Sequence, residues 1–337
     1  MSAVAKSPPK KINFTQAVNL ALDEAMASDP RVILLGEDIA DAQGGGVFTA
    51  TKGLSAKYGT ARVRSTPIAE QAILGAAIGA ALVGYRPVAE IMLMNFMTVA
   101  MDQIVNHAAK LRFMSGGQTS VPITIRTATG AGAGFGGQHS DMLEAWFAHV
   151  PGIKVVMASN PADAKGLLLS CIEDDDPCIF IEHTLAYGVS GPVPPPDYRV
   201  PLGLANIVRD GTDVSVIGYG PAIAPVLALA DSLQREGISI EVVDLRTIAP
   251  FDQATVLGSV AKTRRAVVVH EAVRSFGVGA EISSCIHEAL FSELRAPVGR
   301  VGSAYCPVPF SPPLEKAYLF NRDKLEAAIR KTLTGRT

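Results

Sequence analysis

The chain has 337 residues and a formal net charge of −2, with 48% hydrophobic and 18% charged residues. This length suggests two domains with sizeable cores, and the lack of a basic excess gives no support for nucleic-acid binding. Charged residues fall below the roughly 25% usual for soluble domains, a hint that part of the surface is spent on subunit contacts. The N-terminal MSAVAKSPPKK has no apolar core of signal-peptide type, and the longest apolar run, residues 72–85, is too short to span a bilayer. The expectation is a cytoplasmic protein without a membrane segment. Cys171, Cys178, Cys285 and Cys306 have neither CxxC nor mixed Cys/His spacing. They read as free thiols rather than a disulfide framework or a zinc site.

In chain order, residues 14–28 place apolar side chains at 14, 18, 21, 22 and 25, a helical face stopped by Asp29-Pro30. RVILLGED is a short buried strand, followed by the Gly-rich DAQGGGVF. Thr66 is expected to cap a helix with Pro67 at its first position. PVAEIML predicts a strand, 95–112 a helix, VPITIRTA a strand, TGAGAGFGG a loop and 139–149 a helix. IKVVMA, the helix 161–174 and CIFIE continue the alternation. Strand–helix alternation implies a parallel sheet covered on both faces. Residues 184–201, with five prolines and two glycines, read as a linker without packed elements. A second α/β region follows, with DVSVIGYG, ISIEVVDL, RAVVVHE, a helix over 278–291 and another from 321.

Three features carry candidate chemistry. Gly132, Gly134 and Gly137 fit GxGxxG after a strand, but the next strand ends in Ser159 and Asn160 rather than in the acid a dinucleotide ribose needs. The alternative is a loop that packs against another backbone, as glycine permits. His139 closes this loop, where a histidine can enter a cleft or merely begin a helix. Glu70 stands before the small, apolar residues that follow it. An acid in a first turn gains roughly 0.3–1 kcal/mol from the helix dipole. No capping box accounts for it, and a partly buried acid needs a partner or its pKa rises. Glu37 ends a strand, and open parallel sheets gather ligands beyond the carboxyl ends of their strands. Glu37, Glu70 and the His139 loop are therefore expected on one rim.

Taken in order, LLGEDI, KGLSAKYG, STPIAEQ, GYRPVAEIM, MDQIVNHAAKLRFMSGG, GGQHSDMLEAWFAHVPGIKVV, AKGLLLSCIEDDDPCIF and VVDLRTIAPFD resemble the beta subunits of thiamin-diphosphate-dependent 2-oxo acid dehydrogenases. That family acts on pyruvate, branched-chain 2-oxo acids or acetoin. The resemblance runs from about residue 11 to the C-terminus. It implies an α/β fold of two doubly wound domains. A thiamin-diphosphate pyrimidine-binding domain would span 11–185, a Pro-rich linker 186–201 and a transketolase C-terminal-like domain 202–335.

The resemblance further implies an α2β2 heterotetramer with an alpha subunit, a lipoyl acyltransferase core as partner and a 2-oxo acid substrate. The GDG motif that usually anchors diphosphate and Mg2+ is missing here, so the alpha subunit would hold both. Glu70 would share a proton with the pyrimidine 1′-nitrogen, and Phe96 would stack on that ring. Glu37 would act as a supporting acid, and His139 would orient substrate and assist proton transfer during reductive acylation of lipoyl. Ile123, Cys171, Asp174 and Asp176 match carbonyl ligands of a potassium ion in some members, although Asn is usual at the last position. A non-catalytic subunit that docks the acyltransferase core, and a nicotinamide oxidoreductase, are the competing readings.

Overall fold

The computed structural model describes residues 11–335. The first region contains β1 (Lys11–Asn13), α1 (Phe14–Ser28), β2 (Val32–Glu37), α2 (Leu54–Tyr58), β3 (Val63–Thr66), α3 (Glu70–Leu82) and β4 (Arg86–Leu93). It continues through α4 (Leu111–Met114), β5 (Thr124–Thr129), α5 (Glu144–Ala148), β6 (Lys154–Met157), α6 (Pro161–Glu173), β7 (Cys178–His183) and β8 (Ser190–Pro192). The second contains β9 (Asn206–Arg209), β10 (Val214–Gly218), α7 (Ile223–Gln234), β11 (Ile240–Asp244), β12 (Thr247–Ala249) and α8 (Gln253–Thr263). β13 (Ala266–Val273), α9 (Val278–Leu290), β14 (Gly299–Ser303), α10 (Pro312–Tyr318) and α11 (Arg322–Thr334) complete it.

The expected alternation builds two sheets. One has seven strands in the order β12-β6-β7-β5-β4-β2-β3, the other five in the order β14-β13-β10-β11-β9. All neighbours are parallel except the edge strands β12 and β9. β12 comes from the second region and completes the larger sheet: Thr247 pairs with Val156 and Ala249 with Val155. The larger sheet is buried on both faces. α1 and α6 cover one side with Phe14, Leu22, Met26, Leu167 and Leu168, and α3 with the segment after β4 covers the other. Among the described residues no helix is long and apolar enough to cross a membrane.

Local chemistry explains where the elements begin. α1 starts in a capping box formed by Asn13 and Gln16. α6 starts with Asn160 accepting from the Asp163 N–H and with Pro161 in its first turn. Four sequence expectations change. Thr66 does not cap a helix, because it pairs with Glu37 as the last residue of β3; α3 therefore begins at Glu70 itself. The helix expected over 95–112 is a 3₁₀ stretch (Met94–Ala100), a π turn (Gln103–Ala108) and the short α4. Met94, Met97 and Ala100, all fully buried, follow the three-residue period that a 3₁₀ helix aligns. The helix expected over 139–149 shrinks to α5. The linker holds a 3₁₀ turn (Thr184–Gly188) and β8, which pairs with β1; Pro192 is the last paired residue, opposite Lys11, and the other prolines follow it.

A buried contact between Tyr219 and Glu144 joins the two regions. Tyr219 donates to Glu144 Oε1 at 2.6 Å, and both side chains are buried. Burial raises the Glu144 carboxyl to about 7, against an ordinary 4.5. A raised carboxyl means that the folded state binds more protons than the unfolded state between those values. Its stabilising contribution is therefore present below pH 4.5 and lost as pH rises through about 7. At 1.36 kcal/mol per unit the swing is at most roughly 3 kcal/mol. Glu144→Gln should flatten the fall in unfolding free energy between pH 5 and 7, as measured by urea titration across that range; a wild-type slope would refute the assignment.

Candidate active site

The neighbouring strands β3, β2, β4 and β5 run parallel, so their carboxyl ends lie on one rim. Glu37 ends β2, and β3 leads through Thr66 to Glu70 at the start of α3. β4 leads to Phe96, and β5 to the loop that carries His139. The rim expected from sequence is thus built by strand order. On it the residues form two pairs. Glu70 is buried, and the Glu37 carboxyl is raised above its ordinary value by burial first and then by the charges of Glu70 and Asp38. His139 meets Phe96 edge-on, with ring centroids 5.3 Å apart.

Three buried polar atoms on this rim have no hydrogen-bond partner among the described residues: Thr66 Oγ1, His139 Nδ1 and Ser140 Oγ. A native chain seldom leaves such atoms unsatisfied unless something else meets them. Two adjoining acids, an aromatic ring and unpartnered donors or acceptors suit a heteroaromatic ring with ring nitrogens and an amino group. The residues therefore fit the pyrimidine of thiamin diphosphate. No group of three or more His, Cys, Asp or Glu able to hold a metal ion occurs among the described residues.

The glycine-rich loop does something else. Glu315 of α10 accepts from the Gly132 N–H at 2.7 Å and from the Gly134 N–H at 3.2 and 3.3 Å. Glu271 of β13 accepts from the Ala131 N–H at 2.8 Å, and its other oxygen lies 2.8 Å from His183 Nε2. The donors a pyrophosphate would need are occupied by the protein's own carboxylates. On the far side Asn95 donates to the Gly137 carbonyl at 3.1 Å and to Asp141 at 2.9 Å. His139 lies within this loop, before α5 rather than at a helix start.

The proposed potassium ligands stay together around the end of α6, but their carbonyls have protein partners. The Ile123 carbonyl accepts from Cys178 N–H at 2.9 Å and the Cys171 carbonyl from Asp174 N–H at 3.3 Å. The Asp174 carbonyl accepts from Arg86 Nη1 at 2.9 Å, and the Asp176 carbonyl lies 3.6 Å from Cys178 Sγ. Lys154 bridges the Asp174 and Asp176 carboxylates at 2.8 and 3.3 Å. Sequence reading missed Asn95, Glu271 and Glu315. The only local mark on any of them is the Ser-Pro-Pro start of α10, which places Glu315 in a first turn.

Residues 10–189 match the family described as transketolase, pyrimidine binding domain, and 203–325 that described as transketolase, C-terminal domain. A solved split-gene transketolase, an inactive beta4 tetramer, superposes with a TM-score of 0.77 at 24% identity, covering 97% of this chain and 99% of its own; this likeness concerns the fold. The subunit beta of acetoin:2,6-dichlorophenolindophenol oxidoreductase from Cupriavidus necator is 47% identical over 97% of this chain and 98% of its own. The mitochondrial pyruvate dehydrogenase E1 component subunit beta-2 of Oryza sativa subsp. japonica is 44% identical over 96% of this chain and 86% of its own. The chain belongs to the transketolase-like family of thiamin-diphosphate-dependent 2-oxo acid and acetoin dehydrogenase beta subunits.

Glu70→Gln removes one charge from the acid pair and should lower the Glu37 carboxyl toward its ordinary value. Carboxyl-labelled glutamate NMR across pH measures this directly, and an unmoved Glu37 titration would show that the Glu70 charge does not act on it.

Proposed function

We propose that this chain supplies the pyrimidine-binding half of a 2-oxo acid dehydrogenase active site. An alpha subunit would complete the site and hold diphosphate and Mg2+. The carrying observation is the acids Glu37 and Glu70 on a rim where Thr66 Oγ1, His139 Nδ1 and Ser140 Oγ have no hydrogen-bond partner among the described residues. When bound, thiamin diphosphate supplies the electron sink for loss of carbon dioxide from a 2-oxo acid. Glu70 holds a proton at the pyrimidine ring nitrogen. Glu37, less readily ionised than an exposed acid, steadies that proton and keeps a second full charge away from the ring. Phe96 offers an apolar face against which a ring can rest, and it fixes the plane of His139. With an unpartnered Nδ1, His139 can orient substrate and move a proton as the acyl group leaves for lipoyl on an acyltransferase.

Support for a subunit partner comes from α3. Ile73, Leu74, Ala77 and Ile78 are buried in the core, whereas Ala72, Ala76 and Gly79 form an exposed stripe of small residues continuous with Leu82 and Val83. A second helix could approach such a stripe closely. Potassium at the turn of Asp174 and Asp176 would have to share the Asp174 carbonyl with Arg86, so Arg86 and Lys154 serve as the cations that hold this turn. The non-catalytic docking subunit is the weaker reading, because a scaffold has no use for a buried Glu70 whose charge acts on the half-buried Glu37.

Two experiments test these statements. In the chain co-expressed with its alpha subunit, Glu70→Ala should lower decarboxylation at least about 100-fold while leaving assembly intact. Full activity in that variant sinks the assignment, and a failure of thiamin diphosphate with Mg2+ to bind saturably would favour the scaffold. Pyruvate, branched 2-oxo acids and acetoin assayed in parallel identify the substrate. Ala76→Arg should leave the melting temperature of the isolated chain unchanged but abolish co-purification with the alpha subunit; undiminished assembly would remove α3 from the interface.

A further inference from the structure

Glu315 belongs to the second region, yet its carboxylate bonds only to the glycine-rich loop of the first among the described residues. The residue is 4% exposed, so its carboxylate is met by those amides rather than by water. Gly132 and Gly134 adopt left-handed conformations, with φ of +107° and +74°, which turn their N–H groups toward one point. Few residues other than glycine accept that backbone. Hydrogen bonds to an ionised acceptor are about twice as strong as neutral ones. Downstream the loop is closed by the His139 N–H on the Gly136 carbonyl at 3.1 Å and by Asn95 on the Gly137 carbonyl at 3.1 Å. Gly136 also lies under the Phe310 ring, where an added Cβ would come within 2.4 Å of the ring. The stretch from Gly132 to His139 is therefore fastened at both ends, one by each region.

We propose that Glu315 is a positioning residue: by fixing the Gly132 and Gly134 amides it sets where the loop presents His139, and so governs acyl transfer to lipoyl. This rests on the role given to His139 above. Glu271 holds the base of the same loop, but it also pairs with buried His183, so its removal disturbs more than the loop. Glu315 offers the cleaner test. Glutamine there keeps the shape but loses one acceptor oxygen and turns an NH2 group toward N–H donors.

The test uses the chain assembled with its alpha subunit, a lipoylated domain as acceptor and the substrate found active. Glu315→Gln should slow acyl transfer about tenfold, the scale expected from misplacing a reacting group. Thiamin diphosphate affinity should stay at the wild-type value, while the melting temperature falls by only a few degrees, roughly the cost of one lost buried acceptor in a chain of this size. In a His139→Ala background the same change should cost nothing further. Wild-type transfer by Glu315→Gln, or a full additional loss beside His139→Ala, overturns the proposal. If Glu315→Gln does not fold, Gly134→Ala decides: its only near neighbour is the Phe310 carbonyl at 3.8 Å, so it disturbs the loop through backbone strain at φ +74°. The same selective loss supports the proposal, and wild-type kinetics overturn it. Wild-type transfer by His139→Ala alone instead refutes the role of His139 and, with it, any action of Glu315 through that residue. Loss in His139→Ala without loss in Glu315→Gln refutes only the positioning.

Discussion

Parallel hydrogen bonding among β3, β2, β4 and β5 is the constraint on which the rest of the molecule depends. It fixes one direction for four neighbouring strands and so delivers four connections to one rim. Glu70, Glu37, Phe96 and His139 come from those connections and span much of the first region in sequence. Parallel strands need long crossovers, and each crossover here carries one member of the site.

Among the described residues the rim keeps uncompensated groups. Burial first, and then the charges of Glu70 and Asp38, hold the Glu37 carboxyl above its ordinary value. Thr66, His139 and Ser140 leave polar atoms unmet. Such unfavourable features concentrate where a ligand is expected to compensate them. Elsewhere the same sheet satisfies its buried charges with care. Arg126 is bonded to Glu182 at 2.8 and 3.0 Å and to Glu90 at 2.6 Å, and Tyr187 donates to Glu182 at 2.9 Å. The contrast between a closed charge network in the middle of the sheet and an open pair at its edge separates scaffold from site.

The second region does more than extend the chain. β12 completes the first sheet, Tyr219 reaches Glu144, and Glu271 and Glu315 end on the glycine-rich loop. The loop that resembles a dinucleotide motif is thus an anion nest filled from within. Its glycines answer the needs of left-handed backbone and close approach, with the Phe310 ring over Gly136 and the His183 ring beside Gly130.

Sequence alone determined the two α/β regions, because buried strands and amphipathic helices leave periodic apolar patterns that local physics reads directly. It also determined the presence of Glu70, Glu37, Phe96 and His139 in motifs of recognisable kind. Helix starts and irregular turns were less legible. Thr66 looks like a cap, yet the ladder to Glu37 claims it for a strand. The 3₁₀ burial of Met94 and Met97 depends on what packs over them. Only the tertiary structure decided that Glu271, Glu315 and Asn95 hold the His139 loop, since Glu315 lies 183 residues from Gly132. A hydrogen bond across that separation leaves no local signature. It exists because the second region lends β12 to the first sheet and packs against it, a consequence of chain topology rather than of any short stretch of residues.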